Sequence, residues 1–568
     1  MQEGSAAAGR SFSIKTEAIS STKASQRRRD ENVSIRKEKR EEKLRDRRVV
    51  KVGVTNTAPV AVMIQQQYNR ALLCQKNVAQ LQLLNQILNR IDEDDLEKYY
   101  EHLFGMDGAV FNILMQAMLV EQLSVDACTS LANFTGKLVN EDYRLNCALH
   151  LIEKGHMFYI CKTMMDSNTI SHEQQYTLWT LVANLTLSCK EAPLILFNSP
   201  LFEGGLSSKF MQSLTSAIAR PLMDILRFLL ETHRNSAETD TRYVLVLPDA
   251  MLGACYTALC YNVSQPLEHA MGRYDQLEED QKEMVPSCLR SLWLIYQISS
   301  PQLKAWFVFA NQATWPMIVI INKCIFSIGV YAVQHHMISL FNVICAITIE
   351  NHFIPRKLLE TGSVEMFVRA CQSTHKTMRW QGLFCLGSFL AESTDFVRIS
   401  LRPPFQIMDV LIPALKDKNA EVRKGGLYCL MSMFAIADME RNTSMELRQQ
   451  AEDLMRTLVT EYKVFKYITN YLHSKQDINV CIDVLEMIKI ALLWDKPLVM
   501  RALDATDGTD SVNRLANDVH SLKGDQCTAL YHLASQVDDI LSNGDGGGDG
   551  GGAIVKDYME LESGLYSF

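Results

Sequence analysis

The chain has 568 residues, of which 47% are hydrophobic and 21% charged, and its 57 Lys and Arg against 65 Asp and Glu give a formal net charge of -8. So much apolar material excludes intrinsic disorder for most of the chain, and with only 14 Pro the body is nearly free of helix breakers and reads as mostly helical. Fifteen Cys, an odd number with no C-x-x-C pair, sit mainly in apolar helical patterns and read as reduced, buried thiols of a cytosolic or nuclear protein rather than a disulfide framework.

Residues 1–26 hold no apolar run of signal-peptide length and are expected to be disordered. Residues 27–50 form a basic arm, "RRRDENVSIRKEKREEKLRDRR" followed by two valines. From Arg27 to Arg48 it carries 11 Lys and Arg against 6 Asp and Glu. Set in an acidic chain, this asymmetry points to a detachable arm with an acidic target, the alternative being a merely solvated charge run. On a helix Arg36, Arg40, Lys43 and Arg47 fall on one stripe at steps of four, three and four. The six interleaved acids would repel phosphate, which favours a patterned protein partner over nucleic acid.

After a linker over residues 51–75, one helix is written many times between residues 76 and 542. Its copies include "ACTSLANFTGK" at Asn133, "LWTLVANLTLS" at Asn184, "CYTALCYNVSQ" at Asn262, "CLRSLWLIYQISS" at Gln297, and drifted versions at Cys345, Ser388 and Ser432. Most spacings lie near the ~40–47 residues of armadillo or HEAT units, with about nine to ten units in all. One spacing of 78, from Asn184 to Asn262, implies an insertion at "ETHRNSAETDTRYVLVLPD". Gly362 is expected to turn a short first helix into an amphipathic second. The apolar window Met317–Val333 carries Asn322 and Lys323 near its centre, so it reads as a core helix and not a membrane span. Stacked units of this kind twist into a right-handed superhelical solenoid whose third helices line a groove suited to extended peptides. Asn133, Asn184 and Asn262 at the repeated position would either pair with a peptide backbone or bridge neighbouring repeats.

The arm followed by these repeats resembles importin-α, the adaptor family of nuclear protein import. Arg27, Arg28 and Arg29, then Arg36-Lys37, Lys39-Arg40 with Glu41 and Glu42, then Lys43 and finally Arg47-Arg48 follow the pattern of that family's importin-β-binding domain. The resemblance implies that this arm folds when clasped by importin-β, and that protein cargo binds the groove as an extended peptide. It also implies an export factor at the last repeats and shuttling between cytoplasm and nucleus. The groove departs from the family. Its lysine-holding tryptophans stand four residues before each groove Asn, where this chain has Thr129, Thr180 and Ala258, with Trp179 turned about 100° away. Only Trp293 keeps the relation, to Gln297, while later units pair Phe384 with Ser388 and Tyr428 with Ser432. The arm also ends in Asp46-Arg47-Arg48 in place of the family's Lys-Arg-Arg. A second resemblance is to the transmembrane and coiled-coil domain-containing protein type, which pairs a similar arm with degenerate armadillo repeats.

Residues 543–568 read as a flexible Gly/Asp-rich tail. No Walker loop, H-E-x-x-H or G-x-S-x-G motif is present, "DATDGTD" lacks the alternation of a calcium loop, and no cofactor, metal or membrane association is expected. The expectation is a nuclear import adaptor reading an atypical signal; the alternative is an armadillo scaffold that importin-β carries as a passenger.

Overall fold

The computed structural model describes residues 109–542 apart from 120–123, 139–140, 155, 167–169, 190, 203–218, 239–244, 348–351, 442, 473–476 and 520–524. The basic arm, the expected start of the repeats over residues 76–108 and the Gly/Asp-rich tail lie outside the described residues. The chain divides into two units, Met1–Asn69 and Arg70–Phe568, and every described residue belongs to the second.

That second unit is an all-α armadillo-repeat solenoid, and among the described residues there is no strand. Ala109–Met118 (α1) and Ser124–Lys137 (α2) open it, followed by Glu141–Leu149 (α3), Met157–Met165 (α4) and His172–Ser188 (α5). Then come Ala192–Phe197 (α6), Ala219–Glu238 (α7), Asp249–His269 (α8) and Glu279–Ile298 (α9). Full three-helix units follow: Pro301–Phe309 (α10), Thr314–Cys324 (α11) and Tyr331–Cys345 (α12); Phe353–Glu360 (α13), Ser363–Cys371 (α14) and Lys376–Leu390 (α15). The next are Thr394–Leu401 (α16), Met408–Leu415 (α17) and Ala420–Glu440 (α18); Met445–Thr460 (α19), Phe465–Ile468 (α20) and Ile478–Trp494 (α21); Lys496–Asp504 (α22), Gly508–Val519 (α23) and Asp525–Ser542 (α24).

Within a unit the turns are written locally. Ser300, Ser393, Asn419 and Ser444 cap α10, α16, α18 and α19 by accepting a hydrogen bond from the backbone N–H three residues on. Gly362 adopts φ 74 between α13 and α14, a left-handed conformation that costs a glycine nothing and fits the expected turn. The apolar window from Met317 is broken at Cys324, where α11 ends. Its Asn322 amide donates to the Thr361 carbonyl (3.0 Å) and to Ser363 Oγ (2.9 Å) of the next unit. No described helix is long and apolar enough to cross a membrane.

Stacking makes the core. The third helices form one continuous row, α2, α5, α7, α9, α12, α15, α18, α21 and α24, each packed on the next. Behind it the second helices run from α8 through α11, α14 and α17 to α20. Each unit contributes a stripe of fully buried residues, such as Leu383, Leu386 and Leu390 of α15 or Leu427, Leu430 and Phe434 of α18. Where the two rows meet at α8, Tyr256 stacks on Phe307 (4.0 Å between ring centres). Its hydroxyl lies 2.9 Å from that of Tyr296 and 3.0 Å from Thr314 Oγ1. Four helices are joined through that one buried side chain.

The structure also corrects the sequence reading between Asn184 and Gln297. The helix at Asn262 is α8, which packs against α9 and α11 in the second row; the third helix of that stretch is α7. Residues Glu231–Glu238, the start of the expected insertion, are the last turns of α7. The cause is burial on several sides: 12 residues of α8 are buried, so it carries the dense apolar pattern expected of a third helix without occupying that row. The 13 described cysteines form no disulfide, and 12 of them are buried. Burial pushes the thiols of Cys161, Cys255 and Cys324 up to about 12, so they pack as small apolar groups.

Candidate functional site

The exposed face of the third row is the candidate site, because along the described residues it is the longest row of equivalent helices, running unbroken from α2 to α24. Asn133 (α2), Asn184 (α5), Trp293 and Gln297 (α9), Phe384 (α15) and Tyr428 (α18) lie on row helices. Asn262 lies on α8 and is 8% exposed, away from that face. Trp179 is 4% exposed and belongs to the core, as its rotation around α5 requires.

Asn184 is engaged with its neighbour. Its amide donates to the Ala132 carbonyl at 2.9 Å and to Thr135 Oγ1 at 3.2 Å, both on α2. Of the two readings open for this residue, the geometry is that of a bridge between repeats. Similar rungs recur along the stack: Gln381 Nε2 donates to Ser339 Oγ at 2.8 Å, and Arg379 Nε meets Asp417 Oδ2 at 3.0 Å. Desolvation opposes ionisation of Asp417, but hydrogen bonds from the Asn419 backbone and from Arg379 hold its carboxyl below the ordinary range.

The aromatic residues pair with one another. Phe384 and Tyr428 stack with 5.5 Å between ring centres and 14° between planes, Trp380 stands 6.2 Å from Phe384, and the Ser388 and Tyr428 hydroxyls are 3.3 Å apart. An alkyl stem between two rings needs about 3.5–4 Å on each side, so no lysine enters between Phe384 and Tyr428 as they stand. Gly387 permits the arrangement, since a Cβ there would lie 2.4 Å from Tyr428 Cδ1. Gly387→Ala is therefore expected to displace the Tyr428 ring and cost about 1–3 kcal/mol. Urea unfolding with near-UV circular dichroism reads both effects, and unchanged stability with an unchanged tyrosine signal would refute the stack.

Further along, α18 and α21 bring Asp438, Glu486 and Lys489 together, with Lys489 Nζ 3.8 Å from Glu486 Oε2. Burial pushes Asp438 up against the pull of Arg441 and Lys489, and pushes Glu486 up against that of Lys489. Two acids face two bases, so this stretch is charge-balanced. At α12, burial lowers His335 and His336, the latter further under His335 and Arg290. Among the described residues no group of three His, Cys, Asp or Glu is placed to hold a metal ion.

What precedes the solenoid decides most about the chain. Residues 10–102 match the family model described as Importin beta binding domain. The match takes in all of the basic arm and extends beyond it at both ends. The chain thus carries an importin-β-binding domain at its N-terminus, ahead of its armadillo repeats. Among solved structures, a crystallographic engineered protein is 14% identical over 82% of this chain and 99% of its own length, with a TM-score of 0.53, a likeness of fold alone. Two designed armadillo repeat proteins cover 50% of the chain at 12% and 11% identity, the second in complex with a (KR)4 peptide. Their TM-scores of 0.38 and 0.37 place no weight on function. No curated protein matches the chain.

Sequence reasoning missed the pairing of these aromatics and of Arg234 with Trp293 across α7 and α9. Only contact between units separated by about 40 to 60 residues creates them, and no local pattern announces it.

Proposed function

We propose that the chain is a transport adaptor of importin-α type. Residues 27–50 recruit importin-β through Arg27, Arg28, Arg29, Arg36, Lys37, Lys39, Arg40, Lys43, Arg47 and Arg48. The repeats over 76–542 carry protein cargo on the third-row face as an extended peptide, an export factor engages the last repeats, and the protein shuttles between cytoplasm and nucleus. The observation that carries this reading is the importin-β-binding match at residues 10–102 placed directly ahead of a helical repeat array. The closed Phe384–Tyr428 pair supports a cargo signal that is not lysine-rich.

The self-engaged Asn184 and the closed aromatic pair also favour a second reading, in which the repeats are a scaffold and importin-β carries the protein as a passenger. Import of the chain and of proteins co-purifying with its repeats, followed in permeabilised cells with and without residues 1–50, separates the two. For an adaptor, deletion of the arm stops import of the bound protein as well as of the chain. For a passenger, only the chain's own import fails. Import unaffected by the deletion would refute both.

A further inference from the structure

The seam between α7 and α9 is closed by cross-helix pairs: Arg220 with Asp280 and Glu283, Arg290 Nη2 with Glu231 Oε1 at 2.7 Å, and the Arg234 guanidinium 5.9 Å from the centre of the Trp293 ring. Glu231 and Arg234 stand three residues apart on one face of α7, as Arg290 and Trp293 do on α9, so the last two pairs are successive rungs. Arg290 takes the carboxylate of Glu231, which leaves the indole to Arg234. Its Nε is buried with no hydrogen-bond partner, so ring contact and stem packing hold that guanidinium at this point.

Trp293 is the one tryptophan that stands in the third row four residues before a repeated amide, Gln297, and it is half-buried on that face. A cation already lies against its ring, and a second cation arriving there would meet both the first charge and an occupied surface. We infer that Arg234 is a specificity-determining residue: it fills the Trp293 face in cis, so that this register refuses lysine or arginine and accepts an uncharged or acidic side chain of a bound peptide. The inference rests on reading the third row as the peptide-binding face.

The test uses the full chain, an alternating eight-residue Lys-Arg peptide, and Arg234→Met, which keeps an apolar stem and removes the charge. Arg234→Gln serves as a second variant should the first unfold, with helicity checked by circular dichroism. Both variants are expected to bind the basic peptide about tenfold more tightly than the unmodified chain, the scale of one desolvated cation–ring contact. That gain should vanish when Trp293→Leu is added. Equal affinity of the folded variants and the unmodified chain, including no binding by either, would overturn the inference, as would a gain that survives loss of Trp293. Importin-β capture by the arm is measured on the same proteins. Its absence would sink the adaptor reading, and the peptide result would stand separately.

Discussion

Changing Arg36, Lys37, Lys39 and Arg40 together to Ala is expected to weaken importin-β capture at least about 100-fold, or roughly 2.7 kcal/mol. Each residue places a cation on the arm, and a hydrogen bond to a charged group contributes about 1.5–3 kcal/mol when its partner is fixed. Four such bonds would exceed the expected loss. Exposed charges are screened and non-additive, however, so the smaller figure is the safer floor. Changing Glu38, Glu41 and Glu42 to Gln should leave capture intact or strengthen it, because those acids do not face an acidic partner favourably. Titration calorimetry at two salt concentrations measures both sets. Capture by the Ala variant within a few-fold of the unmodified chain would mean that the arm acts by something other than its charge pattern.

The second large effect concerns the body. Tyr256→Ala is expected to destabilise the solenoid by about 3–5 kcal/mol, because it removes a fully buried ring stacked on Phe307 and leaves a cavity among α8, α9, α10 and α11. Tyr256→Phe keeps the ring and should cost about 1–2 kcal/mol, since Tyr296 loses a hydroxyl partner while Thr314 keeps the Phe307 carbonyl at 2.6 Å. In a repeat array a lesion weakens one interface between neighbours, so the loss should show as a split transition and as proteolysis near residues 239–300. A single transition with an unchanged midpoint would refute the assignment.

Where periodicity and row position coincide, the fold is legible in the sequence. The helices at Asn133, Asn184, Gln297, Cys345, Ser388 and Ser432 all lie in the third row. The unit between α5 and α9 misleads because α8 is buried on several sides, whereas α7 buries one broad stripe of Leu222, Met223, Ile225, Leu226, Leu229 and Leu230 and ends in a polar stretch. The 35 residues from Asn262 to Gln297 were the available warning, since three helices and their turns need more chain. The site is less legible than the fold. That the tryptophan ladder is incomplete can be read directly, but where Phe384, Tyr428 and Arg234 turn instead depends on partners one unit away.

The buried thiols have a use beyond packing. They are spread from Cys128 on α2 to Cys481 on α21, in almost every unit between, and from Cys128 to Cys429 burial suppresses the thiolate of those such as Cys128, Cys147 and Cys429. A thiol reagent reaches such a sulfur only when its own unit opens. Modification rates followed peptide by peptide would therefore time the breathing of each cysteine-bearing repeat separately, with no residue substituted, and would reveal which segment of the array loosens when importin-β or a cargo is added.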